Sequence, residues 1–166
     1  MNPAVYRAPM RSRRDDVPVK ATLARAKSLN LCGFGGILRP PPGDVDAAIA
    51  RAVEQHDTRL ARRIRRFAAV PDGSFVWTRD DDQLFWLGCI EGSWWYDGDE
   101  RAAAVDLVHV RPCAWSNDPV LASEAPDGVL ATFGRGGRNF QRIHDPRVGA
   151  QTAVIWHRSH RRRGDQ

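Results

Sequence analysis

The hydrophobic period of this chain changes at the turn Val70-Pro71-Asp72-Gly73. Before it, "DVDAAIARAVEQHDTRLARRIRRF" places Ile49, Val53, Leu60, Ile64 and Phe67 on one helical stripe. After it, short runs rich in β-branched and aromatic residues follow one another: "SFVWTR", "QLFWLGCIEG", "SWWYDG", "AVDLVHVRPCAW", "GVLATF" and "RNFQRI". The separators "DDD", "DGDE", "SNDP", "APDG" and "GRGGR" are turn or loop chemistry. A helical first half and a strand-rich second half predict an α+β domain, a small barrel or strongly bent sheet with helices packed around it.

The flanks are read from the same periodicities. Residues 1–16 are basic, Pro-containing and without a hydrophobic period, which predicts a flexible arm. "VPVKATLARAKSLN" predicts a short helix through Leu23, Ala26 and Leu29, and "LCGFGGIL" a buried strand or tight turn. Asp44 is placed to cap the next helix. After "HDP" a last helix is expected, with Val148, Thr152, Ile155 and Trp156 toward the body. At 166 residues the chain suits one domain, here bounded at 17–157, with 158–166 as a basic C-terminal tail.

Charge narrows the partner. The formal net charge is +5, and of 25 Lys+Arg only Lys20 and Lys27 are lysines. Guanidinium groups grip phosphates bidentately and stack on flat rings, so the bias favours an anionic partner such as nucleic acid; arginine-rich codon usage explains it equally well. Cys32, Cys89 and Cys113 are far apart with no CxxC pair and no secretory leader, which points to a reducing cytoplasm without disulfides or structural zinc. No apolar run reaches the length of a membrane span.

Five of the six tryptophans fall between Trp77 and Trp115. Successive side chains of a strand point to opposite faces, so in "EGSWWYDG" Trp94 and Tyr96 face one way and Trp95 the other. Strand aromatics are mostly core, yet "FW" at Phe85-Trp86 and "WWY" must each expose a face, and exposed rings among arginines can stack bases.

Signals for chemistry are weak, and no enzyme is expected. None of the five histidines sits in a nucleophile elbow. His157 and His160 at i,i+3 read as a solvated basic end before they read as metal ligands, and Asp80-Asp81-Asp82 as a solvated turn. Asp72 with Glu91 lacks the lysine a nuclease pair needs, and neither "GFGG" nor "GRGGR" is a phosphate-loop or dinucleotide fingerprint. Arg135, Arg138 and Arg142 around the second can still track a phosphate backbone.

In chain order, "LCGFGG", "RIRRFAAVPDGSFVWTRD", "FWLGCIEGSWWYD", "VHVRPCAW" and "FQRI" resemble the EVE-like branch of the PUA-like superfamily, especially domains attached to restriction and anti-phage proteins. The resemblance runs from about Ala21 to Ile143. It implies a small PUA-like β-barrel and a concave site for a flipped, modified base, chiefly in DNA and in some relatives in RNA. By position, Trp77, Thr78 and Arg79 would floor the pocket, Trp94 and Tyr96 would form its rim, and His109, Arg111 and Trp115 would face them. Gly36 stands where relatives commonly carry a tryptophan, so either Phe34 would substitute or the pocket would be remodelled. Relatives often carry a nuclease or ATPase in the same polypeptide; here such an effector would be a separate partner.

The sequence therefore leads to a nucleic-acid-binding reader, with DNA favoured over RNA and no cofactor or metal. Arg62, Arg65 and Arg66 of the second helix, with Arg135, Arg138 and Arg142, would hold the backbone. The alternative is a protein-interaction or antitoxin-like module that uses the same Trp, Tyr and Arg surface without nucleic acid.

Overall fold

A computed structural model describes residues 2–136 and 139–164, with the side chains of 162–164 left aside. The elements run β1 (Val5–Arg7), α1 (Ala21–Leu29), β2 (Leu31–Phe34), α2 (Val45–Gln55), α3 (Thr58–Ala69), β3 (Phe75–Arg79), β4 (Phe85–Ile90), β5 (Trp95–Tyr96), α4 (Glu100–Ala104), β6 (His109–Trp115), α5 (Asp127–Gly134), β7 (Gln141–Arg142) and α6 (Val148–Gly164). The expected α+β class is observed: the strands form one curled, mixed sheet in the order β2-β6-β4-β3-β1-β7, with β5 also paired to β6.

Alternation along β3 builds two cores from one strand. Val76 joins the cluster under α1, α2 and α3, while Phe75 and Trp77 join a second cluster with Val129 and Phe133 of α5 and Val148 of α6. Leu60, Ile64 and Phe67 are the buried stripe of α3, as the helical period predicts. Burying each such side chain stabilises the fold by roughly 1.5–3 kcal/mol before entropy.

Four expectations change. The predicted flexible arm contains β1, which pairs parallel with β3 (Val5 opposite Phe75) and antiparallel with β7, and Val5, Ala8 and Met10 are buried. A three-residue strand is too short to show a period in the sequence. The single long helix breaks after Gln55. Asp57 caps α3 by accepting the Leu60 N–H at 2.8 Å, and the phase shift at His56 turns Val53 outward and puts Ala48 and Ala52 inside. "GVLATF", read as a strand, is α5: Val129 and Phe133 at i,i+4 share its buried face. The basic tail from 158 is a continuation of α6, since no Gly or Pro interrupts it before Gly164.

Candidate functional site

Four residues assigned to a base pocket are built into the fold instead. Trp77 is fully buried, its Nε1–H donating to Thr152 Oγ1 at 3.1 Å and its ring edge-on to Phe85. Thr78, the next residue on the strand, is also fully buried. Trp115 donates from Nε1 to the Leu31 carbonyl at 2.9 Å, tying β6 to β2. Arg111 is buried, and its guanidinium donates to the carbonyls of Gly92 at 2.7 Å, Phe67 at 3.0 Å and Val70, and to Asp72 at 2.7 Å. Its Phe67 and Val70 contacts sit at the negative C-terminal end of α3, where a cation is favoured. The aromatic and arginine bias that suggested a pocket here reflects packing and hydrogen-bond saturation. Arg79 is half-exposed, 5.5 Å from the Phe133 ring centroid, and borders a separate shallow cleft with Lys20, Lys27 and Asp80–Asp82.

Phe34, Trp94, Tyr96 and His109 do come together. His109 on β6 is enclosed by the Trp94 ring, nearly parallel at 6.0 Å, the Tyr96 ring at 5.4 Å and the Phe34 ring at 5.3 Å. Its Nε2 lies 2.8 Å from the Gly36 carbonyl, which can only accept, so Nε2 carries the hydrogen. Burial pushes the imidazole down from its ordinary 6.5 to about 4, against the weaker pull of that hydrogen bond. Tyr96 holds Leu38 by accepting its N–H at 2.9 Å and donating to its carbonyl at 3.2 Å. The alternation expected in "SWWY" is present: Trp94 is buried, Tyr96 half-buried and Trp95 43% exposed. Trp94 and His109 are packed against the glycine loop after β2, while Tyr96 borders a cleft of about 320 Å³ with Ile37, Leu38, Arg39 and Asp97.

The arginine-rich opening is a different one. A cleft of about 350 Å³ is floored by Phe34, Gly35, Gly36 and Ile37, walled by the α2–α3 junction from His56 to Arg63, and crossed by the segment that follows β1. Gly36 has φ +118, and a Cβ there would fall 2.8 Å from Leu60. At Gly35 a Cβ would fall 2.1 Å from the Asp106 carboxylate. The bare backbone is what lets the loop pack this closely. Asp106 braces it further, accepting the Gly36 N–H at 3.2 Å and the Ser12 hydroxyl at 2.6 Å.

Arginines dominate the walls. Arg11, Arg13 and Arg14 enter from the N-terminal segment, Arg59 and Arg63 from α3. The Arg63 guanidinium lies 5.6 Å from the Phe34 ring centroid. Burial, and then repulsion from Arg13, lower its pKa, only partly opposed by Asp57. Comparison with protein-family models, with curated proteins and with solved structures finds no match to this chain. Of the residues assigned to base binding, only Phe34 lines this cleft directly; His109 reaches it through Gly36.

The assigned backbone contacts lie elsewhere. Arg62, Arg65 and Arg66 are exposed on the outer face of α3, Arg135 is exposed after α5, and Arg142 is exposed on β7. Arg138 lies outside the described residues. The cleft arginines of the N-terminal segment were missed because that segment carries no period, although "RSRR" next to an apolar Met10 was the available signal. Among the described residues, no group of three or more His, Cys, Asp or Glu is placed to hold a metal ion, and no helix is long and apolar enough to cross a membrane.

Proposed function

We propose that the chain is a nucleic-acid-binding module that receives a single base, presented out of its stack, in the cleft over Phe34. One observation carries this reading: a concave site whose floor is an aromatic ring and bare glycine backbone and whose walls carry five arginines against two carboxylates, Asp57 and Asp106. Its volume falls within the roughly 300–1,000 Å³ usual for sites that enclose a small ligand. A flat ring can approach glycine backbone closely and stack on Phe34, while arginines take the adjoining phosphates. The EVE-like resemblance supports the same reading, with Phe34 as the stacking surface where relatives place a tryptophan near Gly36. DNA carrying a modified cytosine is the favoured ligand, and the module binds rather than catalyses.

The test is a titration of matched short duplexes, unmodified and carrying modified cytosine, at low and moderate salt, followed by fluorescence anisotropy. Selective binding of the modified duplex that is reduced in Phe34→Ala supports the reading. Binding that is indifferent to both the base and Phe34 reduces it to backbone attraction, and no binding overturns it. The exposed Trp95 on β5 keeps a protein partner as the second reading, which would show as a stoichiometric complex sensitive to Trp95→Ala.

A further inference from the structure

Four of the five arginines around the cleft fall into two kinds. Arg11 and Arg14 are each matched by a carboxylate, Asp81 at 2.6 Å and Asp16 at 2.7 Å. Arg13 and Arg63 make no salt bridge among the described residues. Both donate from Nη2 to the same atom, Asn139 Oδ1, Arg63 at 3.1 Å and Arg13 more closely. The amide must present its oxygen there, because its NH₂ would face two donors.

Two like charges held on one neutral acceptor are an unfavourable arrangement left to itself. The two guanidinium groups repel, which adds to the larger effect of burial in lowering the Arg63 pKa, and an amide oxygen offers no compensating charge. A carboxylate at 139 would permanently cancel one of the two charges. An amide positions the two groups and leaves their charge available. The three residues come from three separate segments: the crossing segment after β1, α3, and the approach to β7. Asn139 and Arg13 are exposed, so an incoming anion reaches them from solvent, while Arg63 extends inward over Phe34.

We infer that Arg13 and Arg63 form a phosphate clasp at the mouth of the cleft, in which Asn139 Oδ1 occupies the position of a phosphate oxygen. The ligand group is the phosphodiester next to the base seated on Phe34. This deepens the proposed function and rests on it for the identity of the ligand, but not for the anion site. The clasp differs from the exposed arginines of α3 in holding a phosphate at one fixed place, so it sets register rather than adding general attraction.

The deciding variant is Asn139→Asp, which keeps the side chain's size and supplies the missing charge. The full-length chain carrying it should melt at or above the wild-type temperature while binding short DNA at least about 10-fold more weakly. Arg13→Gln/Arg63→Gln should bind at least as weakly and flatten the salt dependence by about one phosphate equivalent. A thermal-shift titration with inorganic pyrophosphate, free of any base, reads the anion site alone: stabilisation in wild type that disappears in both variants is expected. If DNA binds the wild type and both variants equally, the clasp is wrong and the nucleic-acid reading stands. If pyrophosphate stabilises the wild type through these residues but no nucleic acid binds, the clasp stands and the nucleic-acid reading falls. Absence of both responses overturns both.

Discussion

Arg111 and Arg63 both lie against α3 and are used in opposite ways. Arg111 reaches the C-terminal end of that helix from β6 and is saturated, with carbonyls and Asp72 around its guanidinium. Arg63, midway along the same helix, shares one amide oxygen with Arg13. Arg7 repeats the first pattern at the end of α5, donating to the Thr132 and Gly136 carbonyls at 2.7 and 2.8 Å and to Gln141 at 3.0 Å. A guanidinium whose donors are filled by helix-end carbonyls is part of the scaffold; one that shares a neutral acceptor with another cation is set out for a ligand. Residue type does not separate the two, but the chemistry of the acceptors does.

The comparison breaks most visibly at Arg111. Arg111→Ala leaves the Phe67, Val70 and Gly92 carbonyls without their donor in a buried place, and should destabilise the fold by about 3–5 kcal/mol. Urea unfolding measures this. A loss as small as that of a surface arginine would mean the saturated cluster is not structural.

His109 gives the next largest effect and tests whether the aromatic layer is scaffold. Its imidazole is held down at about 4 in the fold and returns to about 6.5 when unfolded, so between those values the unfolded chain binds the extra proton. Its stabilising contribution is complete above pH 6.5 and is lost as pH falls toward 4, a total of about 3 kcal/mol. Unfolding free energies measured from pH 7.5 to 4.5 should fall accordingly, and His109→Gln should flatten that slope. A slope unchanged in the variant would show that the ring is not enclosed as described.

How much of this was legible in the sequence follows from the length of each signal. The α3 stripe and the β3 and β4 strands each span enough residues for a period to declare itself, and all are present. β1 and the α2–α3 break depend on three residues and on one cap, below what periodicity resolves. The site was half legible. The sequence singles out aromatics and arginines, and residues of both kinds line the cleft, but of the residues named for a base pocket only Phe34 does. Which rings are enclosed and which guanidinium groups are saturated depends on carbonyls that approach from distant segments, such as Val70 and Gly92 for Arg111. A hydrogen bond to a backbone carbonyl is independent of the side chain it belongs to, so no motif announces it.

Gly35 joins the two regions, since its loop rests on the His109 layer below and faces the cleft above. Gly35→Ala drives a methyl group into the Asp106 carboxylate, which must move away from the Gly36 N–H and the Ser12 hydroxyl. The expected cost is about 1–3 kcal/mol by chemical denaturation. A displaced cleft floor should also lower DNA affinity beyond what the lost stability explains, at temperatures where the variant is fully folded. Full affinity in a folded Gly35→Ala would place the ligand elsewhere.

The smallest effect belongs to the outer face of α3. Arg62 and Arg65 are exposed, one position before and two after Arg63, and helical geometry turns them away from the cleft that Arg63 lines. Replacing either with Gln should leave stability within about 0.5 kcal/mol, because a solvated guanidinium loses nothing on mutation that water does not replace. If the proposed nucleic-acid reading is right, each change should also weaken DNA binding about equally for modified and unmodified duplexes, and reduce the salt slope by about 1. Arg63→Gln, on the same helix and with the same change of charge, should additionally erode discrimination between the two duplexes, because it removes a contact next to the seated base. A net-charge effect predicts identical behaviour at 62, 63 and 65; a built site predicts that 63 alone alters selectivity. The difference between neighbouring arginines on one helix therefore measures the site itself, independently of the chain's overall positive charge.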